Sequence, residues 1–363
     1  MAAAMPTIEE MLAKLIAVQG SDLHLKVGSP PVFRIDGQLH LSNLPKLEPA
    51  DTERIADEIL PERLEEEFRT THESDFAIGY PRLGRFRVNV FWQRGSVSLV
   101  LRAVSSAISN FEELGLPPVL KTLSMEPRGM ILVTGPTGSG KSTTLGAIVD
   151  HINSNRRLNI ITLEDPIEIL HPDKFSLVSQ REIGVDTYSF SEALRRVLRQ
   201  DPDVILIGEM RDRETVEAAM KAAETGHLVL SSLHTIDATE TVNRIIDFFP
   251  PDQQNQGRLA LAATLRGIVS QRLLVRSDGK GRIPAVEVLV NTERVYDRIA
   301  DSKQTGSLPD VMAEGEFYGM QTFDQALLVL FERGFVSFKD ALAAATNPAD
   351  FKLRVQNKGL MAS

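Results

Sequence analysis

The sequence predicts an α/β nucleotide-binding domain preceded by a smaller α+β domain. Three observations predict it. The stretch Gly135–Ser142 reads GPTGSGKS, which satisfies G-x-x-x-x-G-K-[ST] without a mismatch. An apolar run at 129–134 precedes it as a buried parallel strand, and residues 142–150 follow it as a helix. Upstream, residues 21–102 carry short period-2 segments separated by turn residues.

Composition bounds the rest. A chain of 363 residues holds about two to three domains, and 42% hydrophobic with 25% charged residues is a globular balance. A net charge of −9 argues against a nucleic-acid surface as the main feature. The absence of cysteine excludes disulfides and thiolate metal sites. The opening MAAAMPTIEEMLAKLIAV carries acids and lacks a basic region before a long apolar run, so it is not expected to be a signal peptide. No run of 18 apolar residues occurs. The expectation is a cytoplasmic protein, for which any membrane role would come through a partner.

The N-terminal domain is expected over residues 1–103. Ile8, Met11, Leu12, Leu15 and Ile16 form a helical stripe after a capping Thr7. Residues 21–27 alternate as a strand, Pro30-Pro31 ends it, and 32–35 lead into a hairpin at Asp36-Gly37. Residues 51–70 are charged and helical, and strands are expected at 75–78, 85–92 and 96–102. In 85–92, Phe86, Val88, Val90 and Trp92 share one face, with Arg85, Arg87 and Asn89 on the other. Arg94 and Arg102 follow nearby. These arginines are either a solvated strand face or arginine fingers for a γ-phosphate. A Ser-rich stretch closing on Pro117-Pro118 reads as a linker over 104–118, with the nucleotide-binding domain expected over 119–363.

In the loop, Gly135, Gly138 and Gly140 allow the backbone to turn its N–H groups inward, and the helix start adds a positive dipole end. Pro136, Thr137, Ser139 and Thr143 complete the expected phosphate cradle. Lys141 is placed to reach the β- and γ-phosphates of ATP, and Ser142 to ligate Mg²⁺. The strand 158–163 ends in Glu164 and Asp165. Ligands of open parallel sheets sit beyond the carboxyl ends of strands, which makes Glu164 a candidate to polarise an attacking water.

A helix is expected over 190–200. The strand 203–207 then runs into Gly208-Glu209, a Walker B shape in which Gly208 stands at the usual aspartate position. Glu209 is expected to hold Mg²⁺ through water. After a helix at 212–225, His227 and His234 bracket another strand. They stand seven positions apart and no HExxH occurs, which disfavours zinc, whereas His234 suits a phosphate sensor. Helices are expected at 239–249, 252–268, 321–333 and 338–345, with a strand at 283–290.

The set GPTGSGKS, TLEDPIE (162–168), RQDPDVILIGEMRD (199–212) and AAETGHLVLSSLHT (222–235) resembles the secretion ATPase superfamily, and more closely the type IV pilus retraction ATPases of the PilT type. SDLHLKVGSPPVFRIDGQL (21–39), GRFRVNVFWQRGSVSLVLR (84–102) and GMQTFDQAL (319–327) are similar to that family too, so the resemblance covers residues 8–355. It implies a PAS-like N-terminal domain, a RecA-like motor domain and a homohexamer. By it, Glu164 is the catalytic base and Glu209 the Walker B acid. His227 and His234 form the His box, and Arg87, Arg94 and Arg102 are the arginine fingers. The implied station is the cytoplasmic face of the inner membrane, acting on a pilus platform protein, with a second retraction ATPase as a further partner. One departure is ERVYDRIADSK (293–303), where many retraction ATPases carry AIRNLIRE. It leaves the main motor and the accessory PilU type both open.

Alternatives are an extension or type II secretion ATPase, and, in another class, a P-loop kinase or nucleotide-gated regulator. The extension branch usually has a further N-terminal domain and often a four-cysteine loop. Here about 20 residues precede the first matching strand, so retraction is the expected direction. A kinase would need a substrate lid, and no segment reads as one.

Overall fold

The computed structural model describes residues 6–105 and 107–360. The chain divides into two compact units, Met1–Ser106 and Ala107–Ser363. Ser106, within the expected linker, and residues 1–5 and 361–363, at the ends of the expected domains, lie outside the described residues.

In the first unit, helix α1 (Ile8–Ala17) begins at a capping box between Thr7 and Glu10 and buries Ile8, Met11, Leu12 and Leu15. Ile16, expected on that stripe, is 40% exposed because it falls at the stripe's edge. Strands β1 (Asp22–Leu25), β2 (Val32–Ile35) and β3 (Gln38–Leu41) follow. The expected helix over 51–70 is two helices, α2 (Pro49–Ile59) and α3 (Glu65–Thr71). Pro61 lacks an N–H and biases Leu60 away from helical backbone, which breaks the run. Strands β4 (Glu73–Tyr80), β5 (Gly84–Gln93) and β6 (Ser96–Ala103) complete an antiparallel sheet of order β3-β2-β1-β6-β5-β4. Phe86, Val88 and Val90 are buried as their alternation requires, while Trp92 at the strand's end is half exposed.

The second unit is a seven-stranded sheet of order β13-β12-β7-β11-β10-β8-β9. After α4 (Val119–Ser124) come β7 (Gly129–Thr134), α5 (Lys141–Asn155), β8 (Asn159–Glu164), β9 (Leu177–Glu182), α6 (Phe190–Val197), β10 (Val204–Ile207), α7 (Arg213–Glu224) and β11 (Leu228–Leu233). Helices α8 (Ala238–Asp247) and α9 (Gln254–Thr264) lead to β12 (Leu265–Val275) and β13 (Arg282–Val290). Helices α10 (Glu293–Ala300), α11 (Leu308–Glu314), α12 (Phe323–Glu332), α13 (Phe338–Ala344) and α14 (Pro348–Asn357) close the chain. All neighbouring strands run parallel except the β12–β13 pair. β7, β10 and β11 are buried at every position, as strands covered on both faces must be.

The expected helix over 252–268 is the main correction. α9 stops at Thr264, and Leu265 turns to φ −58°, ψ 139° with no intervening loop, so β12 starts at once. Gly267, where the β12–β7 register shifts, is the one local mark of the change, and the burial of β12 between β7 and β13 overrides local helical preference. Within the expected linker, Phe111 and Leu116 are buried against the core formed by β7 and α5. That part of the stretch is therefore packed structure of the second unit.

Candidate functional site

Parallel register brings four strand ends together. Leu163 of β8 pairs with Ile207 of β10, Ile207 pairs with Ser231 of β11, and Leu233 of β11 pairs with Thr134 of β7. Glu164 closes β8, and Gly208-Glu209, His234 and Gly135 stand just beyond the ends of β10, β11 and β7. All of these but Gly135 line one cleft of about 500 Å³. Its lining includes Gly138, Gly140, Lys141, Ser142, Thr143, Glu164, Glu209 and His234.

The loop glycines are required by shape. Gly135 has φ +144°, and a Cβ there would stand 2.5 Å from the Gln271 carbonyl and 2.6 Å from Ser139 Oγ. Gly140, at φ +94°, precedes the first residue of α5 in left-handed backbone. Lys141 Nζ donates to the carbonyls of Gly135 at 2.8 Å and Pro136 at 3.2 Å. Burial holds its ammonium below the usual lysine range, against the pull of Glu209 and Glu168.

Glu164 Oε1 accepts from Thr162 Oγ1 at 2.6 Å and Gln180 Nε2 at 3.0 Å. Burial pushes its carboxyl above the ordinary range, and those two hydrogen bonds oppose the shift without cancelling it. Glu209 has a partner on each oxygen: Arg211 Nε at 2.9 Å on one and His234 Nε2 at 3.1 Å on the other. Gly208 is a glycine for a local reason. Its N–H bonds the Leu163 carbonyl at 2.8 Å, and a Cβ would meet that same carbonyl at 3.3 Å, so an aspartate would crowd the end of β8.

The two histidines part company. His234 follows β11 into the cleft, whereas His227 precedes it at the opposite end, with its Nδ1 2.9 Å from the Ala222 carbonyl. The three arginines belong to the first unit. Arg87 is exposed on β5, and Arg94 sits at φ +52° in the β5–β6 turn. Arg102 Nε donates to Asp22 Oδ1 at 2.7 Å. Burial would raise the Asp22 carboxyl, but hydrogen bonds from Ser21 and Arg102 outweigh it and hold the group low.

Sequence reasoning missed the partners that orient these groups. Gln180 lies on β9, a strand the periodicity did not reveal. Arg211 stood two residues from Glu209 in GEMRD, yet its contact with the carboxylate depends on the turn after β10. His171 also lines the cleft, and burial pushes its ring down to about 4, so it is neutral at physiological pH.

Among the described residues no helix is long and apolar enough to cross a membrane. Residues 1–314 match the family described as "Type II/IV secretion system protein". The chain is 42% identical over 344 residues to "Type IV pilus retractation ATPase PilT" of Pseudomonas aeruginosa, covering 95% of this chain and 99% of that protein. It is 41% identical over 348 residues to "Type IV pilus ATPase PilU" of the same organism, covering 96% and 91%. A crystal structure described as the pilus retraction motor PilT with bound ADP superposes with a TM-score of 0.88 at 43% identity, covering 96% of this chain and all of that one. With its small antiparallel domain, its parallel P-loop sheet and these matches, the chain belongs to the type II/IV secretion system protein family, in the branch of PilT- and PilU-type ATPases.

Proposed function

We propose that this protein is an ATP-hydrolysing motor that drives type IV pilus retraction, and hence twitching motility. The observation that carries the reading is the convergence of Glu164, Glu209 and His234 on the Gly135–Ser142 loop. The loop backbone, Lys141 and Ser142 bind the triphosphate. Glu164 takes a proton from water as its oxygen bonds to the γ-phosphorus and the bridge to the β-phosphate breaks, releasing ADP and phosphate. Its raised affinity for a proton suits that task near neutral pH. His234 marks the γ-phosphate end of the site and positions Glu209.

The residues present fit a magnesium ion: the Ser142 hydroxyl opens α5 beside a loop too tight for any Cβ at Gly135, and the Glu209 carboxylate stands at the neighbouring strand end. When bound, Mg²⁺ neutralises phosphate charge. Arg87, Arg94 and Arg102 act as fingers within a homohexamer. The ring works at the cytoplasmic face of the inner membrane on a platform protein. The acidic net charge favours a basic docking face on that partner.

The near-equal identity to PilU supports a second reading, an accessory retraction ATPase. A deletion strain separates the possibilities. Cells that stay piliated but cannot twitch support the main motor, and weak twitching with a second homologue present supports the accessory role. A bald strain would point to extension and sink the proposed direction.

A further inference from the structure

β12 supports the phosphate-binding loop from behind. Its Ser270 pairs with Thr134, the last residue of β7, and their hydroxyls are 3.0 Å apart. The next residue is Gln271, 1% exposed. Its carbonyl is the atom that leaves no room for a Cβ at Gly135. Its side chain donates from Nε2 to Thr144 Oγ1 at 2.8 Å, a contact buried on both sides. Thr144 is one turn along α5 from Lys141 and its N–H closes the turn on the Gly140 carbonyl at 3.0 Å. Leu273, two residues on and on the same face as Gln271, lines the cleft beside Gly140. Arg272 points the other way: it bonds the Ala344 carbonyl at 2.5 Å, and its guanidinium lies 3.8 Å from the centre of the Phe323 ring.

Gln271 Oε1 is buried with no hydrogen-bond partner among the described residues. An unpaired buried carbonyl destabilises a fold, so an apolar residue would suit a purely packing role better. We propose that Gln271 is a positioning residue for ATP hydrolysis: it holds Thr144, and with it the first turn of α5, where Lys141 and Ser142 are aimed at the phosphates. Arg272 fixes the same strand from the α12–α13 side, so the aim is set by an element outside the loop. The proposal rests on reading Gly135–Ser142 as the nucleotide loop.

The test uses the full chain with Gln271→Met and Thr144→Val, which keep shape and lose the bond, and with Thr144→Ser, which keeps it. Turnover is measured at saturating ATP, affinity with a fluorescent ATP analogue, and melting without nucleotide. Misaimed catalytic groups should cost about 10- to 100-fold in turnover, more than the loss in affinity. Thr144→Ser should stay close to the parent. Gln271→Met with Thr144→Val should be no slower than the slower single variant, because both remove one bond. Parental turnover in Thr144→Val, or additive losses in the double variant, would overturn the assignment. Lys141→Ala separates the two readings. If it loses the analogue while Gln271→Met turns over normally, only the role of Gln271 fails. If it binds as the parent does, the nucleotide site itself is misassigned.

Discussion

His234 Nε2 lies 3.1 Å from Glu209 Oε1, so the residue after β11 and the carboxylate after β10 are joined across the mouth of the cleft. Glu209 Oε2 is held at the same time by Arg211. The carboxylate is thus oriented by two partners from separate elements. Losing one charge-assisted hydrogen bond of about 1.5 kcal/mol corresponds to roughly a tenfold effect. His234→Ala should therefore lower ATP turnover by about that factor while ADP affinity is retained, measured by steady-state phosphate release and ADP titration. Unchanged turnover would remove His234 from the site.

For Glu164 the expectation is larger. Glu164→Gln should preserve ATP binding and cut turnover by ~10²–10⁴, the range for a positioned acid or base. A proton acceptor must be ionised, so turnover should fall as pH drops through its raised pKa. The hydrogen bonds from Thr162 and Gln180 lower that pKa, so Thr162→Val or Gln180→Met should move the acid limb of the rate profile to higher pH. A limb that stays put would mean another group sets it.

A pH effect on stability is expected from Glu287 on β13. Burial, with Asp237 nearby, pushes its carboxyl up to about 7, against the Ala238 N–H bond and Arg272, which pull it down. A folded-state pKa raised above an unfolded value of about 4.5 gives relative stability that is full below pH 4.5 and lost as pH rises through 7. The swing is on the order of 3 kcal/mol at 1.36 kcal/mol per pH unit. Glu287→Gln still offers an acceptor to Ala238, so its melting temperature should exceed the parent's at pH 8 and lose the advantage at pH 5. Parallel melting curves across that range would show that Glu287 titrates normally.

The arginines divide by their contacts. Arg87 and Arg94 are exposed, while Arg102 neutralises the buried Asp22. Arg87→Ala with Arg94→Ala should leave melting unchanged and lower turnover more than ATP affinity. Arg102→Ala should also lower the melting temperature, because the buried Asp22 keeps the Ser21 hydroxyl at 2.7 Å but has only the more distant Arg34, at 3.6 Å, as a cation. Sedimentation should show hexamers in the parent protein. Full turnover by a strict monomer would exclude fingers supplied by a neighbour.

The sequence by itself determined the loop, its flanking strand and helix, and the types of residue at three other strand ends. Those signals are contiguous: Gly135–Ser142 carries its own backbone chemistry, and an apolar run ending in Glu164 or Glu209 can be read locally. The helical stripes were legible for the same reason. Tertiary structure alone decided that β7, β11, β10 and β8 lie side by side in that non-sequential order, which brings Glu164, Glu209 and His234 to one cleft and leaves His227 at the far end of its strand. It also decided β12. Residues 265–268 continue the apolar spacing of the preceding helix apart from Gly267, and the hydrogen bonds available between β7 and β13 make them a strand. Gln271 and its bond to Thr144 exist only because of that pairing, since 127 residues separate the two in sequence.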